Sequence, residues 1–220
     1  MTSPQWDPAG HASGRYDALT QPIHPGQLPP PPPLPEPPPG KGGKGTAALL
    51  VAVVIGVAVS VGLGAYGRLH QPTGTAINIA GFSSGITAKV WLASIAFLFA
   101  IIQLISAMIM YGRFPGVGRA PRWIDGLHRW SGRIAVLVSV PVAVHCLYAL
   151  GFDPSSPRVL IHSLLGCFFY GAFATKMIVL NRPKTPGWSL PLVGGLVFTA
   201  LTGIWLTSAL WFFSTSGIKF

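Results

Sequence analysis

From residue 46 onward the chain is a succession of apolar runs, each about twenty residues or longer, and this limits the solvent it can live in. A hydrocarbon core about 30 Å thick is crossed by about 20 apolar residues at 1.5 Å each. Five runs reach that length: about 46–66, 88–111, 131–150, 158–180 and 188–213. Backbone groups in lipid have no water to bond, so each run is expected to be a helix. The predicted fold is therefore all-α, a membrane helical bundle of five transmembrane helices over residues 46–220. Only 9% of the residues are charged, against about a quarter in ordinary soluble domains. The net charge of +10 comes largely from basic residues flanking the runs. It reads as membrane flanks and predicts lipid bilayer contact, with no nucleic acid partner.

Residues 1–45 are of another kind. They contain Pro4, Pro8, Pro22 and Pro25, then Leu28–Gly40 with nine prolines, Pro29–Pro33, Pro35 and Pro37–Pro39. Proline removes a donor and fixes φ, so a disordered Pro-rich tail of polyproline II character is expected. Such a tail serves as a tether or as a docking strip for a partner's aromatic groove. No apolar signal-peptide core precedes it, so it is expected to stay attached.

Basic residues set an expected orientation. Lys41, Lys44, Arg113, Arg119, Arg122, Arg129, Arg133, Lys176, Arg182 and Lys184 fall on one side, and Arg68, Lys89, Arg158 and Lys219 on the other. Ten against four places the N-terminus in the cytoplasm and the C-terminus outside. Beyond the tail the only carboxylates are Asp125 and Asp153, both expected in connections. Proton-driven transporters carry acidic groups at membrane depth, so that class is disfavoured. Cys146 and Cys167 are expected at depths about 7 Å apart, poor geometry for a disulfide, and read as small buried residues.

The histidines carry the chemical information. His145 and His162 lie in the third and fourth runs, joined by the short turn GFDPSSP. Antiparallel neighbours would place both about 8 Å deep, at matched level. Imidazole in low dielectric is costly unless used, and haem iron suits paired membrane histidines. Zinc would need further ligands, and only His70 is placed to join. A haem needs a gap between the helices, which Pro141 would open by kinking the third run, or else one histidine pairs with His70. Arg158 is placed to meet a haem propionate or a lipid phosphate. His128 precedes His145 by 17 residues, about 25 Å along a helix, so the two cannot share a site.

The segment Leu127-His128-Arg129-Trp130-Ser131-Gly132-Arg133, followed by an apolar helix to His145-Cys146, resembles the opening of one helix in membrane b-type cytochromes, both ferric-reductase-like and bacterial di-haem. The interval between the histidines is longer here than in those cytochromes, and no second pair appears on another run. The chain also resembles an uncharacterised family of actinobacterial multi-pass membrane proteins with Pro-rich tails, which implies the bacterial cell membrane as its location. The cytochrome resemblance implies haem b on His145 and His162, with His70 and His128 as further candidates and Arg158 beside them. The protein would then be an electron-transfer subunit rather than a stand-alone enzyme, working with a quinol or a redox partner subunit. The alternative is a haem-free membrane accessory or scaffold protein that docks a partner through its tail or bundle.

Overall fold

The structure is a computed structural model that describes residues 42–75, 81–182 and 185–220. The Pro-rich tail through residue 41 lies outside the described residues, as does Lys184. Among the described residues the regular elements are all helical. They are α1 (Gly42–Leu69), α2 (Gly85–Met110), α3 (Trp123–Val144), α4 (Pro157–Leu180), α5 (Ser189–Trp205) and a last turn α6 (Trp211–Ser216). α3 runs on into a π-helical segment, His145–Leu150, and a second π-helical segment, Leu206–Leu210, joins α5 to α6. Five continuous helical stretches among the described residues are long and apolar enough to cross a membrane, as the apolar runs imply.

The helix ends follow local chemistry. Ser84 and Ser156 cap α2 and α4 by accepting from the amides of Thr87 and Val159, and Pro157 occupies the first turn of α4. α3 begins at Trp123, eight residues before the apolar run that marks it. Asp125 therefore sits on a helix rather than in a connection, in the first turn, where a carboxylate favours the helix dipole. It pairs with Arg129 one turn on. An apolar window misses these two turns because their polarity belongs to the membrane interface.

Small residues decide which helices touch. On α1, Ala52, Gly56 and Ser60 form a stripe with a period of four, and on α4 Cys167, Gly171 and Thr175 form its counterpart. A Cβ on Gly56 would lie 2.6 Å from the Gly171 carbonyl oxygen, and one on Gly171 would run into Ser60 and the Gly56 carbonyl. The Thr175 hydroxyl contacts both the Gly171 carbonyl at 3.1 Å and the Ala52 carbonyl across the seam at 3.2 Å. The opposite face of α1 (Val53, Val54, Val57 and Val61) is exposed, as suits lipid. A second seam joins α2 to α3, where Gln103 donates to the His128 carbonyl and to Ser131 Oγ at 3.1 Å. Gly132 makes room for the Gln103 amide.

α3 and α4 are consecutive, yet they are not a tightly packed pair. Close packing joins α2 to α3, and α4 to both α1 and α5. The space this leaves between α3 and α4 is the main cavity of the bundle. Their connection is pinned from the side by the chain after α1. Phe152 N donates to the Gly67 carbonyl at 2.8 Å, while the amides of Thr73 and Gly74 donate to the carbonyls of Tyr148 and Ala149 at 3.2 and 3.1 Å. Those carbonyls end the π-helical segment, so the strap satisfies acceptors that would otherwise be left open.

Gly151 makes this connection possible. Its φ is +72°, and a Cβ there would lie 3.0 Å from Pro72 Cγ and 3.2 Å from the Gly67 carbonyl oxygen. Left-handed backbone with a side chain costs about 1–2 kcal/mol before any crowding. Gly151→Ala is expected to lower the thermal midpoint of the purified protein by several degrees, measured by the loss of far-UV helicity.

Candidate functional site

The cavity between α3 and α4 has a volume of about 380 Å³, within the range of small-molecule sites. Its wall is chiefly apolar, with Leu63, Val90, Ala93, Val142, Leu147 and Phe212 among the lining residues. Polar groups gather toward the end that carries the α3–α4 connection: Lys89, Asp153, Arg158, His162 and Ser208. At the far end Ser139 and Tyr170 meet, their hydroxyls 3.0 Å apart, and Tyr170 also reaches the Ser139 carbonyl at 3.0 Å. From Arg158 to Tyr170 is 170 − 158 = 12 residues of α4, about 18 Å of rise. Phe169, Leu201 and Ile204, which pack in a cluster with Ala100 and Ala200, form part of the cavity wall. The polar groups at its two ends are thus separated by roughly half of the ~30 Å hydrocarbon depth.

The rim is built by residues that hold one another. Arg158 Nη1 donates to the Thr207 carbonyl at 2.7 Å, and its guanidinium lies over the Trp211 ring, 3.7 Å from the centroid. The π-helical segment Leu206–Leu210 provides that carbonyl. Asp153 is turned into its own loop, accepting from Ser155 Oγ at 2.8 Å and Ser155 N at 2.7 Å. Those two bonds, the hydroxyl first, hold its carboxyl below the usual carboxylate range. Lys89, in the first turn and a half of α2, brings a second cation to the rim.

His162 has an assignable tautomer. Thr207 Oγ1 is 2.7 Å from the Gly203 carbonyl, which takes its single hydroxyl hydrogen. The 3.1 Å contact between Thr207 Oγ1 and His162 Nδ1 must then run from the ring N–H to the hydroxyl oxygen. Nε2 is left as an acceptor on the chamber wall, with the weak thiol donor of Cys146 4.0 Å away. Both cysteines line the chamber as free thiols.

The other histidines lie elsewhere. His145 is 4% exposed with neither ring nitrogen hydrogen-bonded, and it lines a separate pocket of about 10 Å³ with Gly85, Lys89 and Pro141. That space is about one water molecule. His70 is stacked between Tyr66 and Tyr148, with centroids 5.1 and 4.9 Å away, and its Nε2 is buried without a partner. His128 lies toward the opposite end of the bundle, its Nδ1 2.9 Å from Ser106 Oγ. Of the residues singled out from the sequence, His162 and Arg158 come together through Thr207, whereas His145, His70 and His128 occupy three other places. No group of three or more His, Cys, Asp or Glu forms a metal site among the described residues. Lys89, Thr207, Tyr170 and the two cysteines were not singled out as site residues. Lys89 had a signal, as the lone charge in the 88–111 run, and Thr207 and Tyr170 had none.

A bundle of five membrane-length helices around a mainly apolar chamber defines a multi-pass integral membrane protein. The chain belongs to a family of unknown function, DUF6529, whose model matches residues 49–220. No curated protein and no solved structure matches it.

Proposed function

We propose that this protein is a haem-free membrane binding protein that holds a lipid-like amphiphile in the chamber. The observation that carries this reading is the polarity gradient of the wall: apolar over its depth, with Lys89, Arg158, Asp153 and His162 collected at the rim. An amphiphile matches such a gradient, chain inward and head at the interface. With the charge distribution read by the positive-inside rule, the rim faces the outer leaflet of a bacterial cell membrane and the tail the cytoplasm, where it is free to dock a partner.

Haem b on His145 and His162 is supported less well. A bis-histidine site needs two imidazoles across one gap, and the gap between α3 and α4 is present. His162 lines it with Nε2 available, but His145 opens on the separate pocket, so the two imidazoles do not face one gap. The protein purified from membranes in detergent is expected to release a lipid-like molecule on solvent extraction, at about one per chain, and to give a flat dithionite-reduced minus oxidised spectrum. A b-type band lost in both His145→Ala and His162→Ala would overturn the proposal and establish the electron-transfer reading.

A further inference from the structure

We infer that the amphiphile's head is a phosphate monoester: Lys89 and Arg158 hold its anionic oxygens, and His162 Nε2 accepts the hydrogen of its P–OH. The inference rests on the chamber reading and adds the identity of the head.

Three features of the rim carry it. The first is charge. Lys89 and Arg158 stand against one carboxylate, Asp153, which is already occupied by both donors of Ser155. Arg158 commits Nη1 to Thr207 and one face to Trp211, an arrangement that fixes the guanidinium plane in advance. A planar fork held in place is the donor set that phosphate oxygens take best, and Lys89 adds a mobile point charge.

The second is the Nε2 lone pair of His162, met by the weak thiol donor of Cys146. A fully ionised head would meet that lone pair with an oxygen lone pair, which is repulsive. An uncharged alcohol would satisfy the imidazole and leave two cations without an anion at the edge of a low-dielectric chamber. A phosphate monoester carrying one proton offers both an anionic oxygen and a hydroxyl hydrogen, and its second pKa lies near 6. The weak thiol donor of Cys146, 4.0 Å away, is readily replaced by the stronger P–OH donor.

The third is placement. Arg158, His162 and Thr207 lie on two helices, α4 and the π-helical segment after α5, and lock one another by direct bonds. The tautomer of His162 is therefore part of the same unit that sets the guanidinium. Thr207 touches both groups without lining the chamber, so it is a positioning residue.

The test uses the full-length protein in phosphatidylcholine nanodiscs at pH about 6, where about half of the monoester still carries its proton. Three single-chain probes are titrated: oleyl phosphate, oleyl methyl phosphate, which keeps the charge but has no P–OH, and oleyl alcohol. Oleyl phosphate is expected to bind at least about tenfold more tightly than either of the others. Lys89→Gln should remove most of the preference over the alcohol, and Lys89→Arg should restore it. Thr207→Val should erase the preference over the methyl ester while leaving the preference for charge. Equal binding of all three probes would overturn the head assignment and leave the chamber reading standing. If none of the three binds, both fall.

Discussion

Replacing Gly171 by valine should unfold the bundle at a markedly lower temperature than any other single change on α4. The reason is the distance between α1 and α4. A Cβ at Gly171 would overlap Ser60 and the carbonyl of Gly56, and the reciprocal Cβ at Gly56 would lie 2.6 Å from the Gly171 carbonyl oxygen. One obstacle on each side is backbone, which cannot rotate away as a side-chain end can. The two helices must separate, and Thr175 then loses its contact with the Ala52 carbonyl. Overpacking of a fitted contact costs about 1–3 kcal/mol, and a branched side chain belongs at the upper end. For a chain of this size that corresponds to a fall of roughly 6–12 °C in the thermal midpoint. Gly62→Val and Gly166→Val are the matched controls, since a Cβ at either position meets nothing within 4 Å. Equal effects at all three glycines would show that the seam is not a close packing of backbones.

The second large effect is expected within the chamber and has the opposite sign for the empty protein. Gly166 lines the chamber about two turns inward of Arg158, and a Cβ there meets nothing within 4 Å. Gly166→Phe puts a ring into that open space. Filling a cavity restores van der Waals contacts, so the delipidated variant should melt at or above the temperature of the parent. It should lose ligand-dependent stabilisation almost completely. A ligand at a hundred times its dissociation constant contributes about 2.7 kcal/mol, or roughly 5–10 °C here, and the variant should show none of it. If added amphiphile stabilises parent and variant alike, it is binding to the outer surface of the bundle.

The sequence made the five membrane helices plain because apolar length is a one-dimensional property. Their partners are a different matter. The glycines of α1 and α4 are visible as residues, but only the crossing of those two helices makes Gly56 and Gly171 decisive and leaves Gly62 and Gly166 in the open. The short turn between residues 150 and 157 suggests that α3 and α4 pack together. In the structure the strap after α1 holds that turn instead, the helices stand apart, and the chamber fills the interval. His145 and His162 do lie on neighbouring segments of chain. What spacing could not give is direction around the axis. The π-helical segment begins at His145, four residues after Pro141, and π-helical winding shifts the faces of whatever it carries. His145 turns to Lys89 and Pro141, and His162 turns to Thr207. The tautomer of His162 depends on Thr207 and Gly203, which lie more than forty residues further on, and no local pattern announces such a contact.

The most direct test of the chamber is native mass spectrometry of the intact protein ejected from its own membranes, parent beside Gly166→Phe. The parent is expected to carry one lipid-mass adduct per chain that the variant lacks, both proteins remaining folded. A parent that flies bare, an adduct shared equally by the variant, or an adduct with the mass of haem would contradict the chamber as an amphiphile site.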